Sequence, residues 1–311
     1  MSGLIFFGMQ GVLSLPPLRA LLEAGVEVKA VLIPAAGTVV ASPPRLVHPP
    51  RPAPTDLPIL NPHLDYNIIH LAWEHGLPVW EVGSLAEPQT LALLAGLRPD
   101  LIVVACFPYI FPAALLQLPR YGCLNLHPSL LPAYRGPLPL FWQAYFGEPQ
   151  TGVTLHFLNQ SLDAGDIVAQ TAFAWPEGAS RADLEQQCGL AGAQLLAEAV
   201  QRLAQGEPLP RRPQPQAGSS YFSFPTAEDF YIPTTWEARR AFNFMRAAGT
   251  DWPLLLEVRE KARTRGGEKR FFAVRMAISC DSHQKLDRPY LIEGDEIGVQ
   301  FSPGTVRLKI Q

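Results

Sequence analysis

The residues best equipped for chemistry are Asn125 and His127, followed by Pro128-Ser129-Leu130-Leu131-Pro132, and Asp163 in the run Leu162-Asp163-Ala164-Gly165-Asp166. Residues 122–127 alternate around Leu124 and Leu126, the pattern of a strand entering a core. Side chains two apart on a strand share a face, so Asn125 and His127 point one way and the leucines the other. An amide, an imidazole and a carboxylate together suit transfer of a one-carbon acyl group to an amine. The amide N–H can face the oxyanion of a tetrahedral intermediate. The imidazole, with an ordinary pKa of ~6.5, can take a proton from the attacking amine and give one to the leaving nitrogen. Asp163, where its loop reaches the ring, would stabilise the imidazolium and orient it. Pro128 restricts His127 to extended backbone, and Gly165 gives the acidic loop tight geometry.

The elements that must position these groups follow from hydrophobic period. Strands are expected at 3–8, 26–32, 78–81, 101–106, 122–127, 151–158 and 167–174. Helices are expected at 13–24, 65–75, 87–97, 138–146 and 180–205. The unbroken apolar run 101–106 reads as a central parallel strand. This alternation predicts an α/β fold with a Rossmann-like parallel sheet and helices on both faces. In such sheets ligands bind beyond the carboxyl ends of the strands, where Asn125 and His127 lie. A long Pro-rich loop is expected over 34–63, and loops of that length are usually functional or mobile. Residues 206–223, with four prolines and Gly218-Ser219-Ser220, have linker composition. A helix starting near Thr234 and strands at 254–258, 271–278, 297–301 and 306–310 predict a small β-rich, barrel-like second domain. The expected division is a catalytic domain at 1–205, a linker at 206–223 and a C-terminal domain at 224–311.

Composition narrows the class. The 311 residues are 48% hydrophobic and 17% charged, as in a globular protein. No run approaches the ~20 apolar residues of a membrane span, and the N-terminus lacks the basic stretch of a signal peptide. Cys106, Cys123, Cys188 and Cys280 form no CxxC pair and read as free thiols of a reducing, cytoplasmic compartment. No His or Cys spacing suits zinc, so no metal is expected. Residues 1–205 carry 9 Lys/Arg against 15 Asp/Glu, and 206–311 carry 16 against 13. The basic second part permits a polyanionic partner without requiring one, and its dense run from 259 to 270 reads as a solvated hairpin.

Several motifs carry two readings. His156 shares a strand with alternating Val153, Leu155 and Phe157 and either borders the site or serves structure. Gly8-Met9-Gln10-Gly11 follows the first strand without the GxGxxG pattern, so a tight turn or an acceptor-side wall fits better than dinucleotide binding. Ser129 either caps a turn or touches substrate, and Arg135 either meets an acceptor or lies at the surface. Phe107-Pro108-Tyr109-Ile110-Phe111-Pro112 is a stiff aromatic loop suited to a flat ring, or plain core.

The Asn-x-His-Pro-Ser-Leu-Leu-Pro element, the Leu-Asp-x-Gly-Asp loop with Asp163 36 positions after His127, and Thr151-Gly152-Val153-Thr154 between them resemble the folate-dependent formyltransferase family. Tyr134-Arg135-Gly136, Phe146-Gly147-Glu148, Pro225-Thr226-Ala227-Glu228-Asp229 and the two-domain length are most similar to its methionyl-tRNA-formylating members. The resemblance implies 10-formyltetrahydrofolate as donor and Asn125, His127 and Asp163 as catalytic residues. It implies donor binding by Phe107, Tyr109, Ile110, Ser129, Leu130, Leu162 and Asp163, and acceptor-side roles for Gly8, Gln10 and Arg135. The implied acceptor is the amine of methionyl-tRNA, with no DNA and no membrane partner. Against many cations for a polyphosphate, the loop after the second strand offers only Arg45 and Arg51, and Lys29 is the only lysine before residue 206. A nucleotide-linked amino sugar or other small amine therefore stands as the alternative acceptor. An idle paralogue that binds folate or RNA is a third reading.

Overall fold

The computed structural model describes residues 3–36, 42–49, 66–249, 252–259 and 269–310. The chain divides into two units. One comprises Met1–Arg135, Gly152–Thr171 and Glu185–Ser220; the other comprises Gly136–Thr151, Ala172–Leu184 and Tyr221–Gln311.

The first unit is organised by an eight-stranded sheet. Its strands are β1 (Leu4–Gly8), β2 (Val28–Pro34), β3 (Arg45–Val47), β4 (Val79–Val82), β5 (Leu101–Ala105), β6 (Cys123–His127), β7 (Gln150–Phe157) and β8 (Ile167–Ala174), in the order β3-β4-β2-β1-β5-β6-β7-β8. The central pairs β4/β2, β2/β1, β1/β5 and β5/β6 are parallel. The flanking pairs β3/β4 and β6/β7 are antiparallel. Chain order reverses between β1 and β5, the switch point beside which doubly wound sheets bind their ligands. β1 and β5 are buried at every position, as continuous apolar runs in a covered parallel sheet require. Helices α1 (Leu15–Glu23), α2 (Ile68–Glu74), α3 (Pro88–Leu97), α4 (Ala113–Leu116) and α6 (Arg181–Ala204) accompany these strands.

Two expectations shift. Part of the Pro-rich loop, 45–47, is an edge strand paired with β4, where flanking prolines are tolerated because one side needs no donors. Most of that loop, with Arg51, lies outside the described residues. The segment after α6, read as a linker from its prolines, is tied to the first unit through residue 220. Arg212 bridges to Ile167, and its guanidinium donates to the Val168 carbonyl at 3.3 Å. Arg211 lies 3.6 Å above the Phe157 ring. Proline favours an extended path whether or not the path is anchored, so composition alone does not separate a strap from a tether.

The second unit contains α5 (Pro139–Phe146), α7 (Ala238–Ala248) and a six-stranded sheet. The strands are β9 (Tyr231–Pro233), β10 (Leu255–Arg259), β11 (Lys269–Asp281), β12 (Tyr290–Glu293), β13 (Glu296–Gln300) and β14 (Thr305–Ile310), in the order β12-β13-β14-β11-β10-β9. Pairing is antiparallel except between β9 and β10. Phe244 of α7 is fully buried, with ring centroids of Phe141, Tyr145 and Trp236 at 5.3, 5.5 and 5.7 Å. Residues 260–268, the middle of the basic run, lie outside the described residues.

Candidate active site

The register of β6 and β7 builds the site. Asn125 sits opposite His156, and His127 opposite Thr154. Residues 125 and 127 share a face of β6, and 154 and 156 share the matching face of β7. Leu124, Leu126, Val153 and Leu155 fill the core on the other side. Four polar side chains are thus brought together by strand pairing.

Each polar group is held. The Thr154 hydroxyl donates to the Ser129 carbonyl at 2.6 Å and accepts from the Leu131 N–H at 3.1 Å, which fixes the turn after β6. The Ser129 hydroxyl is fully buried and donates to the Ala133 carbonyl at 2.8 Å. Ser129 therefore caps the turn, and its hydroxyl is spent there instead of facing a ligand. His127 Nε2 lies 2.8 Å from the Tyr134 carbonyl, so that nitrogen carries the proton. Its Nδ1 faces Asp163 Oδ2 at 3.7 Å. His127 and Asp163 are 4% and 7% exposed.

Asp163 reaches the ring from a loop of unusual backbone. Its φ is +51°, in the left-handed region that Asp adopts more readily than most residues. Two positions later, a Cβ at Gly165 would lie 1.8 Å from the Phe157 carbonyl. The requirement at Gly165 is close backbone approach, and that is what lets the loop fold back onto β7.

His156 is the residue that sequence reasoning left undecided. It is fully buried. Its Nδ1 lies 2.9 Å from the Phe157 carbonyl and so carries a proton; its Nε2 accepts from Asn125 Nδ2 at 3.1 Å. Burial and the neighbouring His127 push its pKa down to about 4, against the opposing pull of Asp163, whose Oδ1 lies 3.8 Å away. Neutral His156 orients the Asn125 amide, so Nδ2 spends one hydrogen on the ring and has a second that an oxygen acceptor could take. The signal was present in the sequence: Thr154 and His156 form a polar face of period two on β7, matching that of β6.

The remaining predicted residues divide. Gly8 is the buried last residue of β1, where a Cβ would press on Phe6, Ile68 and Ser14 at 2.8–3.1 Å, so the expected tight turn does not begin at Gly8. Gln10 accepts from Asn67 Nδ2 at 3.3 Å. Arg135 is not a loose surface cation: Nε and Nη2 donate to Gln214 Oε1 at 3.1 and 2.7 Å. Phe107 and Tyr109 rest on the core around Phe7 and Phe111 yet stay partly exposed. Leu130 is half-buried, while Ile110 and Leu162 are 79% and 47% exposed. Among the described residues no His/Cys/Asp/Glu group could hold a metal, and no helix is long and apolar enough to cross a membrane.

Comparisons with known proteins bear on the family and the fold. Residues 59–200 match the family described as Formyl transferase. The methionyl-tRNA formyltransferase of Citrifermentans bemidjiense is 36% identical over 76% of this chain and 69% of its own length. That of a Synechococcus species is 37% identical over 58% of this chain and 56% of its own length, so this match spans little over half of that relative. Two solved structures share the fold. The N-formyltransferase from Helicobacter canadensis, on complex with folinic acid and dTDP-3-aminofucose, aligns with TM-score 0.61 and 15% identity over 98% of both chains. WlaRD, a sugar 3N-formyl transferase, aligns with TM-score 0.64 and 14% identity over 100% of this chain and 98% of its own. From the strand register through the Asn-His-Asp cluster to these similarities, the chain belongs to the formyltransferase family.

Proposed function

We propose that this chain transfers a formyl group from 10-formyltetrahydrofolate to the primary amine of methionyl-tRNA. The observation that carries the chemistry is the cluster in which Asn125 is oriented by His156 and His127 is flanked by Asp163. In this reading the amine nitrogen bonds to the formyl carbon, the bond from that carbon to N10 of the donor breaks, and a proton passes from the amine to N10. Asn125 donates its free amide hydrogen to the formyl oxygen as charge develops there. His127 handles the proton. Asp163 Oδ2 and the Tyr134 carbonyl flank its ring at 3.7 and 2.8 Å and set its orientation. His156 is held neutral.

Phe107, Tyr109, Ile110, Leu130 and the backbone near Leu162 and Asp163 would hold the donor. They offer partly exposed aromatic and apolar surface, which suits a flat ring. Catalysis is assigned to the first unit, which carries Asn125, His127, His156 and Asp163.

The names of the curated relatives favour methionyl-tRNA as acceptor. An amino-sugar acceptor draws support from the cation supply: Lys29 Nζ is spent on the Leu97 and Arg98 carbonyls at 3.1 and 2.9 Å, and Arg45 pairs with Glu81. The decisive experiment offers the donor to the purified chain with methionyl-tRNA and, separately, with a panel of dTDP-linked amino sugars. Formylmethionyl-tRNA is expected. Formylation of a sugar alone would transfer the assignment to the second acceptor, and formylation of neither would overturn the proposed activity.

A further inference from the structure

Gln214 uses every polar hydrogen and lone-pair site of its amide on two loops of the site. Its Nε2 donates to the Asp163 and Gly165 carbonyls, both at 2.8 Å. Its Oε1 receives the Arg135 guanidinium at 3.1 and 2.7 Å. Six residues on, Ser220 completes the strap. Its Oγ accepts from Tyr134 N at 2.9 Å, its carbonyl from Arg135 N at 3.0 Å, and its N–H donates to the Pro132 carbonyl at 3.2 Å. The Tyr134 carbonyl is the acceptor that orients His127. One segment therefore grips both the backbone that presents Asp163 and the loop that presents the partner of His127.

Asp163 needs such a grip. A non-glycine residue at positive φ is held there only where its surroundings over-determine it. Two carbonyls converging on one amide N–H2 supply that constraint at the residue whose carboxylate must face the ring.

We propose that Gln214 is a positioning residue for Asp163, acting through the backbone of 163–165 to set the distance between carboxylate and imidazole. This deepens the catalytic reading above and rests on it. Gln214 touches no reacting atom. Glu at this position would keep the size and the Arg135 partner but turn a carboxylate oxygen toward two carbonyl oxygens, so the donor is lost and a charge is added; Q214A removes the donor without that charge, and an effect shared by both variants belongs to the lost donor.

The test compares the full chain with Q214E, Q214A and R212A. Arg212 belongs to the same strap, but its guanidinium bonds the Val168 carbonyl, two residues beyond the 163–166 turn. In Q214E and Q214A, kcat is expected to fall roughly 10- to 100-fold, both KM values to stay within about threefold, and the pH profile of kcat to be displaced. R212A should keep kcat and its profile. The proposal is overturned by a wild-type rate and profile in Q214E, or by losses in all three variants that follow melting temperature with an unshifted profile. Should the wild type transfer no formyl group, the functional reading fails by itself, and 15N resonances of the His127 ring then decide. Displacement by Q214E but not by R212A supports the positioning role; signals unmoved by Q214E overturn it.

Discussion

The two units treat buried polarity in opposite ways. In the first unit the buried polar residues include His127, His156 and Asp163, three titratable groups within one cluster. In the second, the buried polar residues among those described are Gln143, Thr151 and Thr305. All three are neutral, and each finds a neutral partner: Thr151 with Gln143, Gln143 with the Pro139 carbonyl, and Thr305 with Gln284. Its interior is otherwise aromatic around Phe244. A buried charge is costly unless hydrogen-bonded and matched. The first unit meets that demand by strand register, which places Asn125 on His156 and leaves His127 between a carbonyl and a carboxylate. Among the described residues, the buried histidines and the buried carboxylate are confined to the carboxyl end of β6 and the strand and loop facing it, and the second unit is built from packing.

The sharpest way to break that contrast is to mutate across it. His127→Ala should lower kcat by about 10²–10⁴ while leaving donor binding close to wild type in the folded protein. A near wild-type rate would remove His127 from proton handling. Phe244→Ala should do the reverse, costing ~3–5 kcal/mol of stability in denaturant titration with little change in kcat while folded. If its kcat fell as far as that of His127→Ala, the separation of packing from chemistry would be wrong. The smallest effect concerns His156. Its folded pKa of about 4 lies below the ordinary ~6.5, so the unfolded chain takes up the proton first. The stabilisation from keeping it neutral is complete above pH ~6.5 and is lost as pH falls toward 4. His156→Gln should flatten the dependence of the urea midpoint across that window, and parallel curves for the two proteins would sink the account.

The elements around this site were legible because their signals are local. The unbroken 101–106 run, the alternation about Leu124 and Leu126, and the Gly165 turn each state their geometry within a few residues. The edge strand at 45–47 and the strand at 290–293 were missed, since three or four residues among prolines and charges carry too little period to register. The role of His156 required knowing which strand lies beside β6, and that Gln214 grips the Asp163 loop is a contact across 51 positions. Nothing in the left-handed backbone of Asp163 can be read from its side chain, because aspartate occupies that region without being confined to it.

The chain passes between its two units five times, at 135/136, 151/152, 171/172, 184/185 and 220/221. Neither can therefore be excised as one uninterrupted piece. A fragment ending with α6 would discard Gln214 and Ser220 and leave the acidic turn and the histidine's carbonyl partner without their anchors. Proteolytic trimming or gene dissection at the proline-rich stretch, the obvious place to cut, should yield a fragment with its histidine and aspartate present and misaligned.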